Sequence, residues 1–383
     1  MRIDEIKPYP KNAKKHPEKQ IKQIAESIKE FGFNQPLVID KNNEIVVGHG
    51  RYEAAKLIGL EEVPVIRVEN LTEEQVKAYR LADNKLNESE WDMGLAIEEL
   101  KGLSNEMVDL TGFDKDLLIE PDEKDDIIPE NVSTRAKLGD VWQLGRHRVV
   151  CGDSTKKEDV ERLMDGKKAD MVFTDPPYNV DYEGGFDRQT MSKEKKKWGK
   201  IENDNMSPEA WANFTDGYLQ QIVENCEGPV YIFMSCKELP IVQRRFVEFG
   251  GHWQSTCIWQ KERFVFGMKD YKSEYEPFIY GWIKNRNWSG PQNLTDIWKV
   301  SRDRAKDYDH PTQKPVEIIQ RAITNSSEKE YTILDLFLGS GSTLIAAEKT
   351  GRICYGMEID PKYVDVIIQR WQDYTNKKAV KLK

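Results

Sequence analysis

Four consecutive residues, Asp175-Pro176-Pro177-Tyr178, follow the apolar run Asp170-Met171-Val172-Phe173-Thr174 and carry the sharpest chemical signal in the sequence. An Asp carboxylate and a nearby backbone carbonyl can each accept one N–H of an exocyclic amine on adenine or cytosine. Such an amine is a poor nucleophile, because its lone pair is delocalised into the ring. Two acceptors pull the nitrogen toward a tetrahedral shape and aim the lone pair at an electrophilic methyl. Proline fixes the chain geometry and supplies no competing N–H. Tyr178 offers a flat face on which a flipped-out base can stack, offsetting the cost of unstacking it. The same residues also fit a proline-stiffened loop behind a buried strand.

A second constellation lies near the C-terminus. The run Tyr331-Thr332-Ile333-Leu334-Asp335-Leu336-Phe337 leads through Leu338 into Gly339-Ser340-Gly341 and a helix. A glycine-rich strand–helix turn lets a ligand approach the backbone at the carboxyl edge of a sheet. Glu358 ends the next apolar run, 19 residues beyond Gly339, where an acid can accept hydrogen bonds from ribose hydroxyls. A dinucleotide fingerprint would place a third glycine at Leu344. The pattern therefore suits an adenosine-type ligand without a pyrophosphate, such as S-adenosylmethionine. A tight turn beside an unrelated surface Glu stays open as the alternative.

Strands alternating with helices must position these groups. From about Arg135, a hairpin (Val141–Leu144, then Arg148–Cys151) leads into Gly152-Asp153-Ser154, and apolar runs recur at Val230–Met234 and Ile353–Met357. This order predicts a largely parallel, doubly wound α/β sheet. Residues 1–120 read instead as a small α+β unit. Ile21, Ile24, Ile28 and Phe31 mark one face of a helix ended by Gly32, and two short runs joined around Asn42-Asn43 predict a hairpin. Residues 121–134, rich in Asp, Glu and Pro, read as an acidic linker. A third helix is expected from about Thr72, with Glu73 and Glu74 at its positive end.

The chain has 383 residues, 38% hydrophobic and 32% charged, with a net charge of −9. Collagen, low-complexity disorder and a membrane-spanning protein are excluded as classes. The N-terminus has no apolar signal core, so a cytoplasmic protein with no membrane partner is expected. Five scattered Cys, with no Cys-x-x-Cys spacing, support neither a disulfide framework nor a structural zinc site. Net acidity does not preclude a local basic groove. Residues 257–306 hold ten Lys and Arg against six acids, interleaved with Trp259, Trp282, Trp288 and Trp298. Lys261, Arg263, Arg302 and Arg304 are the DNA-binding candidates of this segment, read as a target-recognition region. An ordinary charged sheet with core tryptophans is the competing reading. A second basic run, Lys193 to Lys200, follows the catalytic loop.

Taken together, the two constellations resemble the amino-type DNA methyltransferases, which methylate adenine N6 or cytosine N4. The tetrapeptide precedes the glycine loop, with His310-Pro311-Thr312-Gln313-Lys314-Pro315 between them, and this order is similar to the circularly permuted β group. The resemblance covers about residues 135–375. It implies a Rossmann-like methyltransferase fold for residues 135–383, S-adenosylmethionine as cofactor and double-stranded DNA as partner. It further implies that Phe337, Gly339, Ser340 and Gly341 bound the cofactor site and that Glu358 takes the ribose. Thr312 and Lys314 would sit near the methionine part, and Asp153 would contact the cofactor adenine, although Gly-Asp-Ser equally suits a helix cap. The family admits a homodimer and a cognate restriction endonuclease as further partners.

The first 90 residues resemble the N-terminal domain of ParB-like partition proteins, a fold related to sulfiredoxin. The carrier is Val46-Val47-Gly48-His49-Gly50-Arg51-Tyr52-Glu53-Ala54-Ala55, a strand–turn–helix whose amides and Arg51 suit phosphates. That family more often shows Gly-Glu-Arg-Arg at the turn, and His49-Gly50 departs from it. A helix-capping turn with no ligand stays open beside a functional one.

The expected whole is an N-terminal ParB-like module followed by a DNA methyltransferase that acts directly on a flipped base. Neither a metal nor a covalent intermediate is required, and no Pro-Cys dipeptide of the 5-cytosine type exists. Asp175 as the first motif residue favours adenine N6, because cytosine N4 enzymes more often carry Ser there. A ParB-like DNA-binding or regulatory protein with a passenger methylase domain is the reading from another class. A nicotinamide-dependent oxidoreductase already fails at Leu344.

Overall fold

The computed structural model describes residues 1–86, 93–113, 115–130, 132–180, 203–265, 270–271, 273–290, 294–300 and 314–382. The chain divides into two units, Met1–Ile119 and Glu120–Lys383.

In the first unit, α1 (Glu18–Phe31) ends at Gly32, whose φ of +83° stops the helix. The strands β1 (Leu37–Asp40) and β2 (Ile45–Val47) form the antiparallel hairpin expected around Asn42-Asn43, and Asn43 turns it with φ +64°. Gly48 then opens α2 (His49–Leu57) in the left-handed region, which a side chain would strain. A parallel strand, β3 (Val65–Val68), completes a sheet of order β2-β1-β3. Ile6, Leu37, Ile39, Ile45, Tyr52 and Val63 are buried between this sheet and α2. Thr72 and Gln75 cap each other at the start of α3 (Glu73–Leu86). Two shorter helices, α4 (Met93–Lys101) and α5 (Asn105–Thr111), close the unit.

The second unit is built on a ten-stranded sheet. Its chain order is β4 (Val141–Leu144), β5 (His147–Cys151), α6 (Lys157–Met164), β6 (Met171–Thr174), α7 (Pro208–Asn225), β7 (Pro229–Phe233), α8 (Leu239–Glu248), β8 (His252–Val265), β9 (Ser273–Trp282) and β10 (Ile297–Lys299). Then follow α9 (Val316–Ser326), β11 (Thr332–Asp335), α10 (Ser342–Thr350), β12 (Ile353–Glu358), α11 (Pro361–Thr375) and β13 (Val380–Lys381). The spatial order is β10-β8-β9-β7-β6-β11-β12-β5-β4-β13. The five central strands, β7 to β5, run parallel.

Alternating side chains sort the two cores. Met171, Phe173, Tyr231, Phe233 and Ile333 pack with α9, α10 and α11 on one face. Val172, Val230, Ile232 and Leu334 pack with α6, α7 and α8 on the other. Such two-sided burial explains why these strands read as continuous apolar runs. The chain leaves β6 for the α7 face and leaves β11 for the α10 face. A crevice therefore opens between the carboxyl ends of those two neighbours, the usual ligand position in an open α/β sheet.

One expectation needs correction. Residues 122–126 of the expected acidic linker form a 3₁₀ turn closed by a capping box between Asp122 and Asp125. Asp125 is buried and salt-bridged to Lys349, Arg370 donates to its carbonyl at 2.7 Å, and Tyr374 donates to its carboxylate at 3.3 Å. An acidic, Pro-flanked composition imitates a solvated tether, but the Asp125 carboxylate binds α10 and α11, and Asp126 accepts the Val316 N–H at the start of α9. Within the segment 257–306, β8, β9 and β10 extend the central sheet, and Trp259 and Trp298 are buried in its core, whereas Tyr271 and Tyr275 are exposed. Arg302, Arg304, Thr312, the side chain of Arg263 and the run Lys193–Lys200 lie outside the described residues.

Candidate active site

The tetrapeptide starts where β6 ends. Thr174 closes the strand and donates to Asp335 Oδ1 at 2.8 Å, which ties the ends of β6 and β11 together. Asp335 is buried, and its other oxygen accepts from Thr343 at 2.6 Å while Oδ1 also takes the Phe337 N–H at 3.0 Å. Burial pushes its carboxyl up to about 6. One carboxylate thus fixes the end of β6, the glycine loop and the start of α10 in one register.

Beyond this clamp, Asp175 enters a network of four charges. Its Oδ1 accepts from the Tyr178 hydroxyl at 2.7 Å and its Oδ2 from Lys314 Nζ at 2.7 Å. Lys314 also lies 2.8 Å from Glu276 Oε2 and 3.0 Å from the Tyr178 hydroxyl. Lys261 pairs with the other oxygen of Glu276. Burial raises the Asp175 carboxyl, with Lys314 opposing that shift. Burial would lower the Lys314 ammonium, but the facing carboxylates of Asp175 and Glu276 outweigh it and hold it above the ordinary lysine range. Burial would equally raise Glu276, yet Lys314 and Lys261 hold it down to about 2. Two acids and two lysines leave the cluster neutral overall.

The glycine loop lies one strand away. Gly339 has φ +53° and open space where a Cβ would stand, so the backbone there is bare to an approaching molecule. Gly341 has φ +89° and passes close to Ile367, 3.2 Å from its position for a Cβ. Phe337 is wedged edge-on against Tyr218 and Phe214, at 5.3 and 5.8 Å between ring centres. Glu358 ends β12 with Oε2 accepting the Gly339 N–H and Oε1 the Asp360 N–H, both at 2.9 Å. Burial pushes its carboxyl up to about 7. Arg370 braces the loop from behind by donating to the Ser340 carbonyl at 2.9 Å.

The remaining expected residues have these surroundings. Asp153 follows β5, but its carboxylate caps the local turn, accepting from the Thr155 amide and hydroxyl at 3.0 and 2.7 Å. This is a local Asx turn ahead of α6, whose own N-cap is Lys156 with no side-chain cap bond. Lys261 is only 8% exposed and bound to Glu276, so it does not face a DNA backbone. Lys314, expected near the methionine part of the cofactor, stands on Asp175. In the N-terminal unit, His49 Nε2 accepts the Tyr9 N–H at 3.3 Å, and burial lowers its imidazole to about 4. Arg51 donates to Gln35 at 2.8 Å and lines an open cleft of about 540 Å³ beside α1 and α5. Sequence reasoning missed Glu276, Asp335, Thr343 and Arg370. Asp335 was findable as an acid ending a buried strand; Glu276 was indistinguishable from its charged neighbours.

A DNA methylase family model, covering adenine N6 and cytosine N4 enzymes, matches residues 169–370, just over half of the chain. The chain belongs to this methylase family. The match spans both strand ends described above, and the permuted motif order and Rossmann-like fold expected from the sequence agree with it. Among its relatives, the type II methyltransferase M2.LlaDCHI of Lactococcus lactis subsp. cremoris is 27% identical over 225 residues, covering 52% of this chain and 81% of the relative. The solved structure of an M1.HpyAVI–SAM complex is 19% identical, covering 58% of the methylase and 98% of that chain, at a TM-score of 0.43. Residues 1–85 of the methylase match the ParB N-terminal domain. There it is 45% identical over 73 residues to the ParB-like nuclease domain-containing protein YnaK of Escherichia coli K12, covering 19% of this chain and 84% of YnaK. Among the described residues of the methylase, no helix is long and apolar enough to cross a membrane.

Proposed function

We propose that this DNA methylase transfers a methyl group from S-adenosylmethionine to the N6 amine of adenine in double-stranded DNA, after flipping the base. The observation that carries this is the meeting of Asp175 and the bare glycine loop across the bonded ends of β6 and β11. The crevice fits the cofactor. Open backbone at Gly339 leaves room for it, Phe337 offers a ring, and the Glu358 carboxylate lies at the strand end where ribose hydroxyls would come. When bound, S-adenosylmethionine supplies an electrophilic methyl group.

The remaining steps belong to the chain's own groups. Asp175 accepts one amine N–H, and a backbone carbonyl of the Pro176-Pro177 turn accepts the other. The nitrogen lone pair is thereby released from the ring and aimed at the methyl. Tyr178 keeps its hydroxyl on Asp175 and presents its ring to the flipped base. Lys314 pairs with Asp175 at 2.7 Å and opposes the burial that raises its carboxyl.

Adenine is favoured over cytosine by Asp, rather than Ser, at position 175. Incubation with radiolabelled S-adenosylmethionine and duplex DNA, followed by nucleoside chromatography, tests both levels. Label in N6-methyldeoxyadenosine is expected. Label in N4-methyldeoxycytidine would correct the base while keeping the mechanism, and label in 5-methyldeoxycytidine would reject both.

A further inference from the structure

Glu276 has no part in the chemistry just derived, yet it touches two groups that do. It stands on β9 opposite Trp259, its Oε2 2.8 Å from Lys314 Nζ and 3.3 Å from the Tyr178 hydroxyl. Lys314 therefore has two carboxylate partners at almost equal distance, Asp175 at 2.7 Å and Glu276 at 2.8 Å. Both oxygens of Asp175 already receive a donor, Tyr178 on one and Lys314 on the other. An amine arriving at Asp175 meets a competing ammonium there. In a site where Lys314 is only 7% exposed, such a charge-assisted bond is the stronger kind.

We infer that Glu276 is a positioning residue that takes over Lys314 when the target amine reaches Asp175. The inference rests on Asp175 being the amine's acceptor. In the exchange Lys314 gives up one carboxylate and keeps the other, and the amine N–H replaces it on Asp175 Oδ2. No proton moves and no buried ion is left without a counter-charge, which is the arrangement that would cost most. Lys261 completes the device by neutralising the far oxygen of Glu276.

A double-mutant cycle of Glu276→Gln and Lys314→Met in the full chain tests this. It reads kcat and KM for duplex DNA, S-adenosylmethionine affinity by calorimetry, and thermal melting. Glu276→Gln alone is expected to lower kcat/KM for DNA about tenfold, with cofactor affinity within about twofold of the parent. In the Lys314→Met background, the same substitution should change kcat/KM less than about twofold, because no ammonium remains to be moved. Equal losses in both backgrounds overturn the inference and leave Glu276 as a fold residue. If either variant is unfolded or inactive, Glu276→Asp decides. The shorter side chain keeps the charge but draws the carboxylate back from Lys314, so kcat/KM should fall about tenfold with melting and cofactor affinity near the parent, and an unchanged kcat/KM would overturn the idea. Asp175→Ala measured alongside keeps the two levels apart. Its full activity removes the acceptor reading itself, whereas its inactivity with an additive cycle removes only the role of Glu276.

Discussion

In the proposed mechanism, Asp175→Ala removes an acceptor that matters most in the transition state, so kcat should collapse while S-adenosylmethionine still binds in calorimetry. Tyr178→Phe keeps the ring but loses a hydroxyl bonded to a carboxylate at 2.7 Å. Its cost should fall between the parent and Tyr178→Ala, about 1.5–3 kcal/mol in kcat/KM. Residue chemistry also sets a pH dependence. The Glu358 carboxyl, pushed up to about 7 by burial, favours its protonated form in the folded state. The stability it contributes is fully present near pH 4 and is lost as pH rises through 7, by at most about 3 kcal/mol. Asp335, at about 6, adds a loss of the same sign, while Glu276 and Glu348, both near 2, contribute constantly across that window. Urea midpoints of the ligand-free protein should therefore fall from pH 5 to 8, and more steeply in the parent than in Glu358→Gln.

Strands and turns carry the next set of consequences. Asp125 inserts a carboxylate between α10 and α11, where Lys349 and Tyr374 answer it. Asp125→Ala leaves Lys349 without its buried partner, and a loss of about 3 kcal/mol in denaturant unfolding is expected. A fragment starting at residue 120 should accordingly melt higher than one starting at 135. This is the place where sequence reading is weakest. The central strands are legible because β6, β7, β11 and β12 bury both faces and so read as unbroken apolar runs. Asp122 to Asp126 and the pair Lys261–Glu276 look, as strings of letters, like solvated charge. What decides them is a partner brought in by the fold: Lys349 lies 224 residues from Asp125, and Glu276 meets Lys261 across two antiparallel strands. Composition cannot report such pairings.

At the scale of the whole molecule, two units share one chain. The N-terminal unit carries six lysines within residues 7–22, all exposed, against Glu18 alone. A fragment of residues 120–383 should methylate the same sequence as the full chain, measured by mapping modified bases. Its DNA affinity should be lower at low salt, and the gap should close as salt rises, because phosphate contacts lose strength with added cations. A changed target sequence would instead mean that the N-terminal unit reads bases. The sheet order has a consequence for synthesis. In space, β11 and β12 separate β5 from β6, but in the chain they come last of the five central strands. A nascent chain that has emerged only as far as β10 therefore holds β5 and β6 with nothing between them to bond to. The tie between Thr174 and Asp335 spans 161 residues and can form only after that gap is filled. Ligand cannot rescue the partly made enzyme, since the loop that would receive it has not yet been translated. During that interval the unpaired edges of β5 and β6 are open to pairing with another chain.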